Sequence, residues 1–225
     1  MEEAYVINLK SSNERWIQIQ KSFEGTGIRL QRVEPVKPRK LLNELSKSDI
    51  GQQSLFLTFL KLVKMAKEKG LPEILILEDD CKPVPKFLEL WPNVKEWLFS
   101  NLGKWDIYSG GSRYIDNPKL IGSSPLVKFY KPEKMFSAHF IYIHSAAYDS
   151  FINLYETKYK EDKILHGDII NNELKFIISY PFLAYQANGK STLHKKFRKM
   201  ETDMKKTERS LSRNKTRKVK HKIRD

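Results

Sequence analysis

Four large apolar residues, Ile74 to Leu77, run without a break and are followed at once by Glu78, Asp79 and Asp80. An apolar run with no polar alternation predicts a strand buried on both faces, as in a parallel sheet. Pro72 and Pro83 confine it to strand length and argue against a buried helix. Upstream, Ala4 to Leu9 predicts a first buried strand, and Ser11-Ser12-Asn13 offers side chains that can cap a helix start. Trp16, Ile17, Ile19 and Phe23 give that helix a loose apolar face, closed by Gly25 and Gly27. Ile28 to Val33 alternates as a second strand. A β-α-β opening of this kind belongs to a parallel sheet.

Downstream, residues 35–48 predict a loop, and Ser48-Asp49-Ile50-Gly51 opens a long helix. Its apolar face is Leu55, Phe56, Phe59, Leu60, Leu62, Val63 and Ala66, and Gly70 stops it. After the acidic-ended strand, residues 87–102 predict a helix interrupted near Trp91-Pro92. Strands are expected at 105–109 (ending in Gly110-Gly111), 126–130, 138–144 and 176–179, with helices at 146–155 and 167–174. From His194 onward the apolar period gives way to charge, which predicts frayed helix or disorder.

Charge sharpens that division. The net charge is +14, but from His194 to Asp225 there are 14 Lys and Arg against 4 Asp and Glu, so about +10 of it lies in the tail. The expected organisation is one domain over residues 1–190 and a basic tail over 191–225. Such a tail can contact anionic surfaces or nucleic-acid phosphates. The single cysteine, Cys81, excludes an internal disulfide and a cysteine metal cluster, and suits a reducing compartment. The acidic start Met1-Glu2-Glu3 lacks the basic and apolar regions of a signal peptide, and no stretch approaches the roughly 20 apolar residues of a membrane span. The expectation is a cytoplasmic protein without a transmembrane segment.

The acids carry the candidate chemistry. They fall at the carboxyl end of a strand, the edge at which open α/β sheets bind ligands. Adjacent carboxylates repel one another unless a cation or a set of donors lies among them, and hard cations such as Mg2+ or Mn2+ prefer oxygen ligands. The two readings are a metal and diphosphate site, and an acidic, solvated turn. Asn8, Leu9 and Arg15, where the first strand meets its helix, could hold a nucleotide, since helix-start amides suit phosphate; alternatively Arg15 is a surface helix residue. His139 is either a buried, hydrogen-bonded core residue or a metal or diphosphate ligand. Asp106 stands near Gly110-Gly111, where backbone can approach a ligand closely.

Taken in order, several blocks resemble glycosyltransferase family 25, which includes lipopolysaccharide and collagen galactosyltransferases. They are Tyr5-Val-Ile-Asn-Leu9 with Arg15, Ile50-Gly51 before a long helix, Leu75-Ile-Leu-Glu78-Asp79-Asp80, Trp105-Asp106, Ala138-His139-Phe-Ile-Tyr142, Asp168, and Pro181 to Gln186. The resemblance spans residues 4 to 190. It implies a GT-A-like, Rossmann-type, mostly parallel sheet flanked by helices. It also implies a metal-dependent, inverting transfer of a hexose from a UDP-sugar to a glycan, lipid-linked sugar or protein hydroxyl. Asp80 is then the first metal ligand, with Asp79 or Glu78 second and His139 a further candidate. Asn8, Leu9, Arg15, Glu78, Asp79, Asp106 and Gln186 face the donor. Asp168 is the general base, or else the cap of a short helix.

One block departs from the family. Where members carry a Ser-His pair a few residues into the long helix, this chain has Leu55-Phe56. That leaves open a catalytically weak relative that binds nucleotide-sugars. A nucleic-acid-binding protein acting through its tail, and a magnesium phosphohydrolase using the same acids, are the remaining alternatives. The body lacks zinc spacing or interleaved aromatic and basic strand motifs for the first, and a second acidic cluster for the other.

Overall fold

The computed structural model describes residues 2–38, 47–158, 174–190 and 197–213. In chain order these form β1 (Glu2–Ile7), α1 (Asn13–Ser22), β2 (Ile28–Val33), α2 (Lys47–Glu68), β3 (Glu73–Glu78), β4 (Cys81–Pro83), α3 (Phe87–Ser100) and β5 (Ile107–Ser109). Then follow β6 (Tyr114–Asp116), β7 (Lys119–Ser123), β8 (Lys128–Lys131), β9 (Lys134–Phe136), β10 (Phe140–His144), α4 (Tyr148–Lys158), β11 (Phe176–Tyr180), β12 (Ala184–Gln186), β13 (Gly189–Lys190), β14 (Phe197–Arg198) and α5 (Met200–Arg213).

Eight strands make the central sheet, in the order β2-β1-β3-β10-β5-β11-β8-β7. The double burial expected of β3 follows from its two-residue period. Leu75 and Leu77 point to one side, with Ala4 and Val6 of β1, Phe140 and Tyr142 of β10, and the apolar faces of α1 and α3. Ile74 and Ile76 point to the other, with Ile141 and Ile143, against α2 through Phe59, Leu62, Val63 and Ala66 and α4 through Tyr148, Phe151 and Leu154. The result is a three-layer α/β/α body with helices on both faces of the sheet.

The sheet is mixed where a mostly parallel one was expected. β2-β1, β1-β3 and β5-β11 are parallel. β10 runs antiparallel between β3 and β5, and β8 and β7 continue antiparallel beyond β11. The β-α-β opening is a local signal and reports only the first strands. β10 is reached after an antiparallel excursion whose short, half-polar strands β6, β7 and β9 carry little apolar period to read.

Two other expectations are corrected. α3 crosses Pro92 without interruption. The carbonyl that loses its amide partner there belongs to Leu88, which is 64% exposed, so solvent can reach it. The stretch that sequence sets apart as a tail is also not all appended. α5 buries Met204 and Leu211 completely, in a cluster with Tyr130, Met135, Ile178 and Phe182. Among the described residues no helix is long and apolar enough to cross a membrane.

Candidate functional site

β1 and β3 lie side by side, with Ile7 opposite Glu78, so their carboxyl ends open at one edge. β10 runs the other way and begins at that edge, where the Glu78 amide donates to the His139 carbonyl at 3.0 Å. β4 turns back from the acids and pairs with β12, placing Gln186 opposite Cys81. These strands, with α1, therefore bring Asn8, Arg15, the three acids, His139 and Gln186 to one rim of the sheet.

The contacts within this rim are specific. Arg15 spreads its two terminal nitrogens over neighbouring carboxylates, with Nη1 2.6 Å from Asp79 Oδ1 and Nη2 3.3 Å from Asp80 Oδ2. Asn8 Nδ2 donates to Asp79 Oδ2 at 2.6 Å and to the Ser12 carbonyl at 3.2 Å. Gln186 Nε2 donates to Asp80 Oδ1 at 3.4 Å. The Ala187 amide donates to the Asp80 carbonyl at 2.8 Å, tying β12 to the acidic turn. Ser12 stands at the entry to α1 but makes no side-chain cap; its role here is to accept from Asn8.

Arg15 bridges two of the three half-buried acids. Burial pushes the Glu78 carboxyl up to about 8, and the charges of Asp80 and Asp79 push the same way against Arg15. Burial also raises Asp79, partly offset by Arg15, the Asn8 hydrogen bond and the charge of Arg32, and raises Asp80, offset chiefly by Arg15. Glu78 takes no side-chain hydrogen bond from the described residues. Asn8, 1% exposed, leaves its Oδ1 buried with no partner among the described residues. The rim holds surplus negative charge and an unanswered acceptor.

A hard dication fits this donor chemistry in kind. Among the described residues no three His, Cys, Asp or Glu side chains close into a ready-made metal cage. Magnesium-type sites commonly use one or two carboxylates and complete the shell with substrate phosphates and water. That is the arrangement open to Asp80 with Asp79 or Glu78.

The remaining candidates separate. His139 is fully buried, with Nε2 3.1 Å from the Ala184 carbonyl; burial lowers its pKa to about 4 and keeps the ring neutral. It stands in no metal-holding group among the described residues, and its hydrogen bond joins β10 to β12. Asp106 lies at the amino end of β5, the opposite edge of the sheet. Its Oδ2 accepts from the Lys175 amide at 2.7 Å, so the structure does not bring it to the donor side. Gly110 and Gly111 are at the right edge, but the chain itself occupies the space. An added Cβ would lie 2.6 Å from the Phe140 ring at Gly110 and 2.3 Å from the Ala184 carbonyl at Gly111. The Leu9 carbonyl is taken by the Ser12 amide and by Arg32. Asp168 lies outside the described residues, as does the predicted helix that carries it.

Sequence reasoning missed Arg32. Its Nη2 donates to the Leu9 and Lys10 carbonyls at 2.9 and 3.2 Å, and its guanidinium lies 5.5 Å from the Trp16 ring centre. It holds the β1–α1 connection that presents Asn8 and Arg15. The available signal was a charged residue near the end of an otherwise half-buried strand. Cys81, buried just after the acids, has its thiol pushed well up by burial and by Asp80 and Glu78, so it is a packing residue without nucleophilic character.

No family model and no curated protein matches the chain. Solved structures similar to it include a glycosyltransferase involved in glycosylation of the major capsid of PBCV-1, with 10% identity, 78% of this chain and 79% of that one covered, and a TM-score of 0.44. The galactosyltransferase LgtC, in complex with donor and acceptor sugar analogues, shares 14% identity over 77% of this chain and 70% of its own, with a TM-score of 0.43. An apo UDP-glucose pyrophosphorylase shares 9% over 95% and 82%, with a TM-score of 0.40. At these identities and scores, the chemistry has to be argued from the residues of the chain itself.

Proposed function

We propose that the protein is a glycosyltransferase that moves a hexose, galactose or glucose, from a UDP-sugar to a hydroxyl of a glycan, lipid-linked sugar or protein, with inversion and with Mn2+ or Mg2+. The observation that carries this reading is the Asp79–Arg15–Asp80 bridge at the carboxyl edge, flanked by Asn8 and Gln186 and left short of positive charge. A surplus of carboxylate at a ligand edge suits a leaving group that departs together with a cation. The resemblance of residues 4 to 190 to glycosyltransferase family 25 supports the same conclusion.

In this proposal the acceptor oxygen attacks the anomeric carbon as the bond from that carbon to the diphosphate oxygen breaks. The acceptor proton passes to a carboxylate on the acceptor side, the role given to Asp168. Asp80, with Asp79 or Glu78, would hold the dication, which supplies positive charge where the diphosphate becomes more negative. Asn8 and Arg15 orient the nucleotide, and Gln186 fixes the Asp80 carboxylate. The half-buried packing of Leu55 and Phe56 against the α2 side of the core favours a second reading, a nucleotide-sugar-binding relative without turnover, because the family's Ser-His pair is replaced there by packing residues.

A thermal-shift panel of nucleotide-sugars, with and without manganese, tests the proposal. The expected result is stabilisation by a UDP-hexose that grows with manganese. Asp80→Ala should abolish the manganese-linked part, and Asp168→Ala should keep binding while stopping UDP release. Binding without UDP release in the unmodified protein selects the second reading, and no shift with any nucleotide-sugar overturns both.

A further inference from the structure

All four carboxylate oxygens of Asp79 and Asp80 already have nitrogen partners. Asp79 is met by Arg15 Nη1 and Asn8 Nδ2, and Asp80 by Arg15 Nη2 and Gln186 Nε2. Asn8 and Gln186 are neutral amides that can turn aside without removing charge. Arg15 is different, because its fork joins two carboxylates that would otherwise repel across one peptide bond. A dication arriving here must either share the carboxylates with a guanidinium, against charge repulsion, or displace it from both. The Asn8 side chain that holds Asp79 through Nδ2 leaves its Oδ1 buried with no partner among the described residues, an unanswered acceptor next to the pair.

We propose that Arg15 is a resident counter-cation: it occupies the Asp79–Asp80 pair before a dication binds, and competition with it sets the cation affinity of this edge. The inference rests on the reading above that the edge takes a dication. It gives Arg15 a role beyond contacting the nucleotide, since the same exchange releases its guanidinium at the moment a diphosphate needs a donor.

The test is calorimetric titration of the full chain with magnesium chloride alone, without nucleotide, at pH 9. Arg15→Gln should bind magnesium at least about tenfold more tightly than the unmodified protein. Arg15→Lys keeps the charge but lacks the fork, and should gain less, about threefold. Far-UV circular dichroism checks that each variant is folded, and the Lys variant carries the test if the Gln variant is not. Equal or weaker affinity in the folded variants overturns the counter-cation role while leaving the dication site standing. Absence of magnesium binding in every protein overturns both.

Discussion

The two edges of the central sheet treat their acids differently. At the amino edge Glu2 and Asp106 have donors of their own, although Glu2 Oε1 is buried with no partner among the described residues. Glu2 Oε2 accepts from Trp91 Nε1 and Lys95 Nζ, both at 2.9 Å, and Asp106 Oδ2 accepts from the Lys175 amide at 2.7 Å. At the carboxyl edge Glu78, Asp79 and Asp80 share one guanidinium and two neutral amides, and all three carboxyls are raised. An acid served by its own donors secures the fold. Acids crowded beyond the supply of positive charge weaken it at neutral pH, and perturbed carboxyls of this kind cluster at functional sites.

Glu78 gives the largest expected effect. Its carboxyl titrates near 8 when folded against an ordinary value of 4.5. Between those values the folded protein binds the proton that the unfolded chain has released. The Glu78 contribution is therefore fully present below about 4.5 and is lost as pH rises through about 8. Glu78→Gln removes the titration. The variant should match the unmodified protein in urea-denaturation stability at pH 5 and exceed it by about 3 kcal/mol at pH 9. A stability difference that does not change with pH would place Glu78 among the well-served acids and erase the contrast between the edges.

Glu208 sharpens the comparison, because it lies on α5, which packs against the β12 strand that carries Gln186, yet has donors of its own. It accepts from the Phe182 amide at 2.8 Å and from the Tyr185 hydroxyl. If donor supply decides, and not position on the sheet, Glu208→Ala should destabilise by about 2 kcal/mol by leaving those two groups unanswered. The midpoint of a denaturant titration measures this. The same variant should weaken nucleotide-sugar binding modestly, since Phe182 leads into β12 and Tyr185 lies within it next to Gln186. Unchanged stability would mean that donor supply does not decide what an acid contributes.

The parts of this arrangement legible in the sequence were those written in a short window. The run Ile74 to Leu77 with its acids needed only seven consecutive residues to predict a doubly buried strand and a charged rim. Asn8 and Arg15 were legible because β1 and α1 adjoin. What bound the rim together was not legible. The pairing of β4 with β12 links residues more than a hundred positions apart, and Cys81 to Pro83 has no alternation to show it. The antiparallel entry of β10 was hidden because an apolar strand reads alike in either direction. α5 was misread because only Met204 and Leu211 carry its buried face through a basic run. The general-base assignment to Asp168 lies outside the described residues and rests on resemblance.

Asp106 gives the smallest effect. It resembles a site residue in sequence because Trp105-Asp106 precedes a strand ending in two glycines. A strand has two ends, however, and this aspartate is at the wrong one. β5 runs parallel to β3, being two antiparallel steps away across β10, so its carboxyl end is Ser109 and its amino end faces away from the acids. There the Asp106 amide donates to the Lys175 carbonyl at 2.9 Å while its carboxylate takes the Lys175 amide, a closed pair that fixes the entry to β11. Asp106→Ala should therefore cost about 1 kcal/mol of stability, the worth of one backbone amide losing its acceptor at a solvent-accessible position. It should leave nucleotide-sugar affinity and magnesium affinity unchanged. A loss of donor binding larger than the loss of stability would move Asp106 back to the ligand side and break the distinction between the two edges.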